Sequence, residues 1–224
     1  LPHAAEWDEA GGFPRELYGK AAAAGLLGVG FPEEYGGTPA DHFYRVILAE
    51  EMGRSGSGGT CASLMSHTIG LPPVVAGASP GLKARILPGV LAGEKISALA
   101  VTEPGAGSDV AQLATTAKRD GDHYVVNGSK MFISAGEHDL AENIIHIVLA
   151  RLPDAPAGTR GISLFVVPKH VLNADLSLGQ RNSVTCGSIE HKMGIRASAT
   201  ATLNFDGATG YLIGELNKGL EAMF

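Results

Sequence analysis

Residues 115–134 read Thr-Thr-Ala-Lys-Arg-Asp-Gly-Asp-His-Tyr-Val-Val-Asn-Gly-Ser-Lys-Met-Phe-Ile-Ser, and this stretch decides the fold. Three extended runs, Thr115–Lys118, His123–Asn127 and Ser129–Ser134, are separated by Asp120-Gly121 and Asn127-Gly128. Both dipeptides tolerate the positive backbone angles of tight hairpins, so the stretch predicts an antiparallel meander. Downstream, the apolar runs Ile144–Ala150, Gly161–Val167 and Ala201–Phe205 add three strands, enough for a barrel or sandwich. The turn-rich segment 153–160 connects two of them.

Upstream the period changes. Leu17, Ala21, Ala24 and the Leu26-Leu27 pair recur at helical spacing, with Pro14 suited to a first turn. Pro39 and Asp41 open a second helix through Tyr44, Ile47, Leu48 and Met52, and further helices are expected over 60–77 and 80–92. The expected class is therefore α+β: an all-helical domain over 1–94 joined near Gly93 to an antiparallel β-barrel domain over 95–214. Leu216 to Phe224 turn helical again, the expected start of a third domain over 215–224.

Composition narrows the function. A net charge of -6, with acidic and basic residues interspersed, offers no basic surface for nucleic acid or anionic lipid. No run approaches the ~18 to 20 apolar residues of a membrane helix. Cys61 and Cys186 are far apart, and the eight histidines form no metal-ligand spacing, His138 with Asp139 and Glu142 reading as a polar loop. An intracellular protein is expected, cytoplasmic in a bacterium or in the mitochondrial matrix of a eukaryote. The chain opens on Leu1 rather than methionine, so its start says nothing about a leader.

The densest chemical signal is Leu99 to Asp109, Leu-Ala-Val-Thr-Glu-Pro-Gly-Ala-Gly-Ser-Asp, placed where a strand ends. A strand delivering Thr102 into a glycine-rich turn ending at Ser108 offers approachable N–H groups and two hydroxyls, a geometry that can receive phosphate. Taken alone, such a turn is more often merely structural, and no dinucleotide fingerprint opens a helix here. Strand alternation sets Phe132 and Ser134 on one face, an aromatic beside a hydroxyl suited to a planar heterocycle or simply to a core edge. Ser108 has no nucleophile elbow and no identifiable base.

Several motifs in order resemble the acyl-CoA dehydrogenase family. They are Phe31-Pro32-Glu33-Glu34-Tyr35-Gly36-Gly37, Glu50-Glu51-Met52-Gly53-Arg54, His67, and Leu87 to Glu94. Val101 to Asp109 follows as the strongest match, then Tyr124 to Lys130 and Lys192 to Thr200. The resemblance implies an FAD enzyme with a helical first domain, a β-barrel middle domain and a four-helix C-terminal domain that also builds a homo-oligomer. It places Leu99, Val101, Thr102, Gly107, Ser108, Phe132, Ile133 and Ser134 against the flavin, with Ser108 also bordering the acyl-CoA substrate. Many members carry Trp and Thr where this chain has Phe132 and Ser134. The longer stretch Glu137 to Asn143 and the segment Ser183 to Lys192 look more like the branch acting on long-chain or methylthio-substituted acyl-CoAs.

The implied reaction removes an α-proton and a β-hydride to give a trans-2-enoyl-CoA, with electrons passed to an electron-transfer flavoprotein. The family's glutamate base belongs to the C-terminal domain, expected beyond Phe224, so no glutamate here takes that role and Glu103 reads as structural. An acyl-CoA oxidase, a flavin monooxygenase on the same fold, and a non-catalytic flavin- or acyl-CoA-binding module share these motifs.

Overall fold

A computed structural model describes residues 2–223. Six helices come first: α1 (Ala4–Ala10), α2 (Glu16–Ala23), α3 (His42–Gly53), α4 (Gly58–Ser66), α5 (Leu71–Gly77) and α6 (Pro80–Leu91). Nine strands follow: β1 (Lys95–Ala100), β2 (Thr116–Asp120), β3 (His123–Ser134), β4 (Asn143–Arg151), β5 (Ile162–Pro168), β6 (His170–Leu172), β7 (Leu178–Arg181), β8 (Val184–Ile189) and β9 (Thr200–Ile213). A short helix, α7 (Gly219–Met223), completes the described chain, while Phe224 of the helix expected from Leu216 lies outside it.

α3, α4 and α6 start where a side chain caps them. Asp41 accepts the Phe43 N–H at 2.9 Å, and Ser79 accepts the Leu82 N–H ahead of Pro80. The single helix expected over 60–77 is two, because Pro72 and Pro73 lack the N–H groups that would continue α4, so a new helix starts at Leu71. Gly25, at φ +76, ends the second helix before Leu26, earlier than periodicity indicated.

Five strands close a ring. β4 pairs with β5, β5 with β9, β9 with β3 and β3 with β2, and β2 returns to β4 through Thr116 opposite Arg151. The sheet is mixed rather than wholly antiparallel: β1 runs parallel to β4 from Lys95 opposite Asn143 to Ala100 opposite Val148. That pairing needs the long excursion through β2 and β3, since parallel neighbours cannot be joined by a tight turn.

The hairpin at Asp120 forms as expected, with Asp120 opposite His123. The one expected at Asn127-Gly128 does not, because β3 runs straight through it. Asn127 accepts the Gly207 N–H at 2.8 Å, so its side chain serves the neighbouring strand. Gly128 is needed for close approach, since a Cβ there would lie 2.5 Å from Thr115 Oγ1.

β4 is buried from Asn143 to Ala150 because both faces are covered. Ile144 and Val148 face the barrel interior with Val126, Ile133, Phe165, Leu203 and Phe205. Ile145, Ile147 and Leu149 face α5 and α6 through Leu71, Val74, Ile86, Leu87 and Val90. His67 lies inside the helical layer, its Nε2 2.6 Å from the Val90 carbonyl and its ring 5.1 Å from that of Tyr18. The Ser97 hydroxyl donates to the His67 carbonyl at 2.6 Å and so ties that layer to β1.

Candidate functional site

The site is built from the end of β1, the turn that follows it, and the end of β3. The chain leaves β1 at Ala100 and folds back on itself, Glu103 and Ala106 exchanging two main-chain hydrogen bonds of 2.9 and 3.1 Å. Pro104 and Gly105 at the apex are exposed, as are Gly107 and Ser108 after it. A Cβ at Gly105 would meet nothing within 4 Å, and at Gly107 only Thr102 Cγ2 at 3.8 Å, so the rim is open. Asp109 then accepts the Ala111 N–H at 3.1 Å and starts a short 3-10 turn.

β3 meets this turn at a bulge. Register with β9 shifts between Lys130 and Ile133, and Phe132 sits at φ 61, a left-handed conformation that is strained for an aromatic residue. The bulge frees the Met131 N–H from the β9 ladder, and it donates instead to the Thr102 carbonyl at 2.9 Å. Thr102 and Phe132 are thereby brought side by side. The Phe132 ring is 55% exposed, Ser134 is exposed, and Ile133 between them is buried in the barrel. Beyond Ser134 the chain turns at Ala135, itself at φ 56, whose N–H donates to the Ala199 carbonyl at 2.9 Å.

The expected site residues thus divide. Thr102, Gly107, Ser108, Phe132 and Ser134 lie along one open rim, Thr102 half-buried and the others exposed. Leu99 and Val101 are half-buried against the layer under α5 and α6, and Ile133 is buried inside the barrel.

Beneath the rim lies an ion pair that sequence reasoning missed. Lys130, 0% exposed, donates from Nζ to Glu103 Oε1 at 2.8 Å and to the Val101 carbonyl at 3.0 Å. The Glu103 carboxylate also accepts the Ala114 N–H at 2.7 Å and the Thr115 N–H at 3.1 Å. Burial by itself would raise the Glu103 pKa; Lys130, Thr115 and the Ala114 N–H outweigh it and hold the carboxyl below its ordinary value. Burial pushes the Lys130 pKa down to about 8, against the opposing pull of Glu103. The available signal was positional: inward residues of β3 run Tyr124, Val126 and then Lys130, and a lysine on that face needs a buried partner.

Among the described residues, no group of three or more His, Cys, Asp or Glu side chains could hold a metal ion, and no helix is long and apolar enough to cross a membrane. His138, half-buried, and His146, buried, lie near the ion pair of Glu137 with Lys169.

Two family profiles match this chain: the N-terminal domain of acyl-CoA dehydrogenase over residues 1–94 and the middle domain of acyl-CoA dehydrogenase over residues 98–208. The 3-methylmercaptopropionyl-CoA dehydrogenase of Ruegeria pomeroyi is 41% identical over 212 residues, covering 94% of this chain and 36% of that protein. The mitochondrial long-chain specific acyl-CoA dehydrogenase of Sus scrofa is 36% identical over 222 residues, covering 98% of this chain and 48% of that protein. A solved acyl-CoA dehydrogenase complexed with FAD, from Bacillus anthracis, matches with a TM-score of 0.81 at 32% identity, over 99% of this chain and 36% of that one. This chain therefore spans about a third to a half of the length of these relatives. It belongs to the acyl-CoA dehydrogenase family.

Proposed function

We propose that the chain supplies the flavin-facing wall of an FAD-dependent acyl-CoA dehydrogenase, which converts an acyl-CoA thioester to its trans-2-enoyl-CoA. The observation that carries this reading is the Met131 to Thr102 hydrogen bond, which sets an exposed, strained Phe132 beside the exposed glycine turn. Strain retained at an open rim points to a ligand. The open rim and its exposed hydroxyls fit a flavin with a diphosphate tail.

When bound, FAD supplies the hydride acceptor. The Gly107 and Ser108 main-chain N–H groups and the Ser108 hydroxyl would hold the diphosphate, Ser108 also bordering the acyl-CoA. Phe132 would cover one edge of the flavin ring and exclude water, with Leu99, Val101 and Ile133 adding main-chain contacts. Thr102 and Ser134 would donate hydroxyl hydrogen bonds to the ring, Ser134 near its reactive nitrogen. Glu103 cannot act as the base that takes the α-proton, because its carboxylate is buried and already accepts three hydrogen bonds.

Residues 1–94, 95–214 and 215–224 are read as the helical domain, the middle domain and the start of a C-terminal helical domain. The acyl chain falls in the long-chain or methylthio-substituted class, electrons leave to an electron-transfer flavoprotein, and the whole protein is a homo-oligomer. Anaerobic mixing of the full-length protein with saturated acyl-CoAs of graded length tests the reading. Bleaching of the flavin with release of enoyl-CoA is expected. Absence of bleaching at every length overturns the dehydrogenase reading, and rapid peroxide formation in air replaces it with an oxidase.

A further inference from the structure

The Lys130–Glu103 pair reaches more of the rim than an isolated ion pair would. Lys130 Nζ fixes the main chain at Val101, where the chain enters the turn. The Glu103 side chain belongs to the turn itself, and its carboxylate holds the N–H groups of Ala114 and Thr115, where the chain leaves the loop to enter β2. Both ends of the loop 104–113 are thus tied to one buried point on β3. The residue after Lys130 is Met131, whose N–H holds Thr102, and Phe132 follows. The turn and the bulge therefore share a single anchor.

A buried pair is a costly way to add stability, since well-packed apolar residues often do as well or better. It is better suited to fixing geometry. We propose that Lys130 and Glu103 are positioning residues for ligand binding: they hold the Gly105–Ser108 turn in register with Phe132, so that one ligand carrying an anionic diphosphate and a planar ring can engage both at once. Neither side chain touches the ligand. The positioning role rests on the reading of this rim as a flavin site, whereas the anchor itself does not.

Two measurements on the full-length protein separate these levels. In Lys130→Met, and in the milder Glu103→Gln, amide hydrogen exchange at Glu103, Ala106, Ala114 and Thr115 is expected to rise about tenfold or more, the scale of losing one charge-assisted hydrogen bond. Exchange at Leu149 and Leu164 in the barrel should stay within about twofold of wild type, as expected for a local opening. A uniform rise at all six amides, or no rise in the turn, overturns the anchor whether or not flavin binds.

The second measurement compares FAD with riboflavin, which has the ring but no diphosphate. Wild type should prefer FAD, and both variants should lose at least about tenfold of that preference, equivalent to one lost charge-assisted contact. Equal losses of affinity for the two ligands would reduce the pair to a stabilising role and overturn the positioning claim. A wild type that binds neither ligand overturns the flavin reading and the positioning role that rests on it, while the exchange data still decide the anchor.

Discussion

Acid should loosen the helical layer through His67, and the size of the effect follows from its surroundings. The ring is fully buried; Nε2 is 2.6 Å from the Val90 carbonyl, and Nδ1 has no hydrogen-bond partner among the described residues. A protonated ring would carry a second N–H with nothing to accept it. Burial accordingly pushes the His67 pKa down to about 4 from 6.5, the Val90 carbonyl opposing only in part. Above the unfolded value of 6.5 the ring is neutral in both states and stability is fully present. As pH falls below that, the unfolded chain takes up a proton that the folded chain refuses, and stability drains away until the folded pKa is passed.

Between pH 7 and about 4.5 this single group should remove roughly 2 kcal/mol, from about 1.4 kcal/mol per unit of pKa difference. That is a large share of a typical stability of about 5–15 kcal/mol. Urea unfolding at both pH values, with wild type and His67→Gln side by side, measures it. Glutamine keeps a donor for Val90 but does not titrate, so its acid loss should be smaller by about 2 kcal/mol. His138, also pushed down to about 4 by burial, titrates in both proteins and cancels from the comparison. Equal acid losses in the two proteins would refute the reasoning.

Other perturbations have distinct expected outcomes. Gly70→Ala would place a Cβ 2.6 Å from Ile147 Cγ1 and should lower the unfolding free energy by about 1–3 kcal/mol, while Gly105→Ala, which meets nothing, should stay within about 0.5 kcal/mol of wild type. Asp41→Ala removes the cap of α3 and should cost about 1 kcal/mol in the same assay. Phe132→Gly relieves a left-handed aromatic residue that is mostly exposed, so stability should change by less than about 1 kcal/mol while FAD affinity of the full-length protein falls. Ser134→Ala should slow flavin reduction under anaerobic mixing with little loss of stability, since one neutral hydrogen bond contributes only about 1 kcal/mol net.

What the sequence disclosed followed from local physics. Asp41 announced a helix because capping acts within one turn. The run Ile144–Ala150 announced a strand because nothing polar interrupts it but His146. Long-range features stayed hidden. The parallel pairing of β1 with β4 leaves no periodic mark, and Gly128 looked like a turn residue because its real constraint comes from Thr115, just ahead of the neighbouring strand β2. In the candidate site, the glycine turn after β1 and the shared face of Phe132 and Ser134 were legible from the sequence. The bulge that joins them and the Lys130–Glu103 anchor beneath them were not, since each depends on residues 27 or more positions apart.

On this reading one flavin lies along the rim formed by the glycine turn and the β3 bulge. A crystal structure of the full-length protein with FAD tests it most directly. The expected result is the diphosphate against the Gly107–Ser108 main chain and the ring system against Phe132 and Ser134, with the Met131 to Thr102 hydrogen bond intact. FAD bound at another surface of this chain, or a rim filled by other protein segments with no flavin contact, would contradict it.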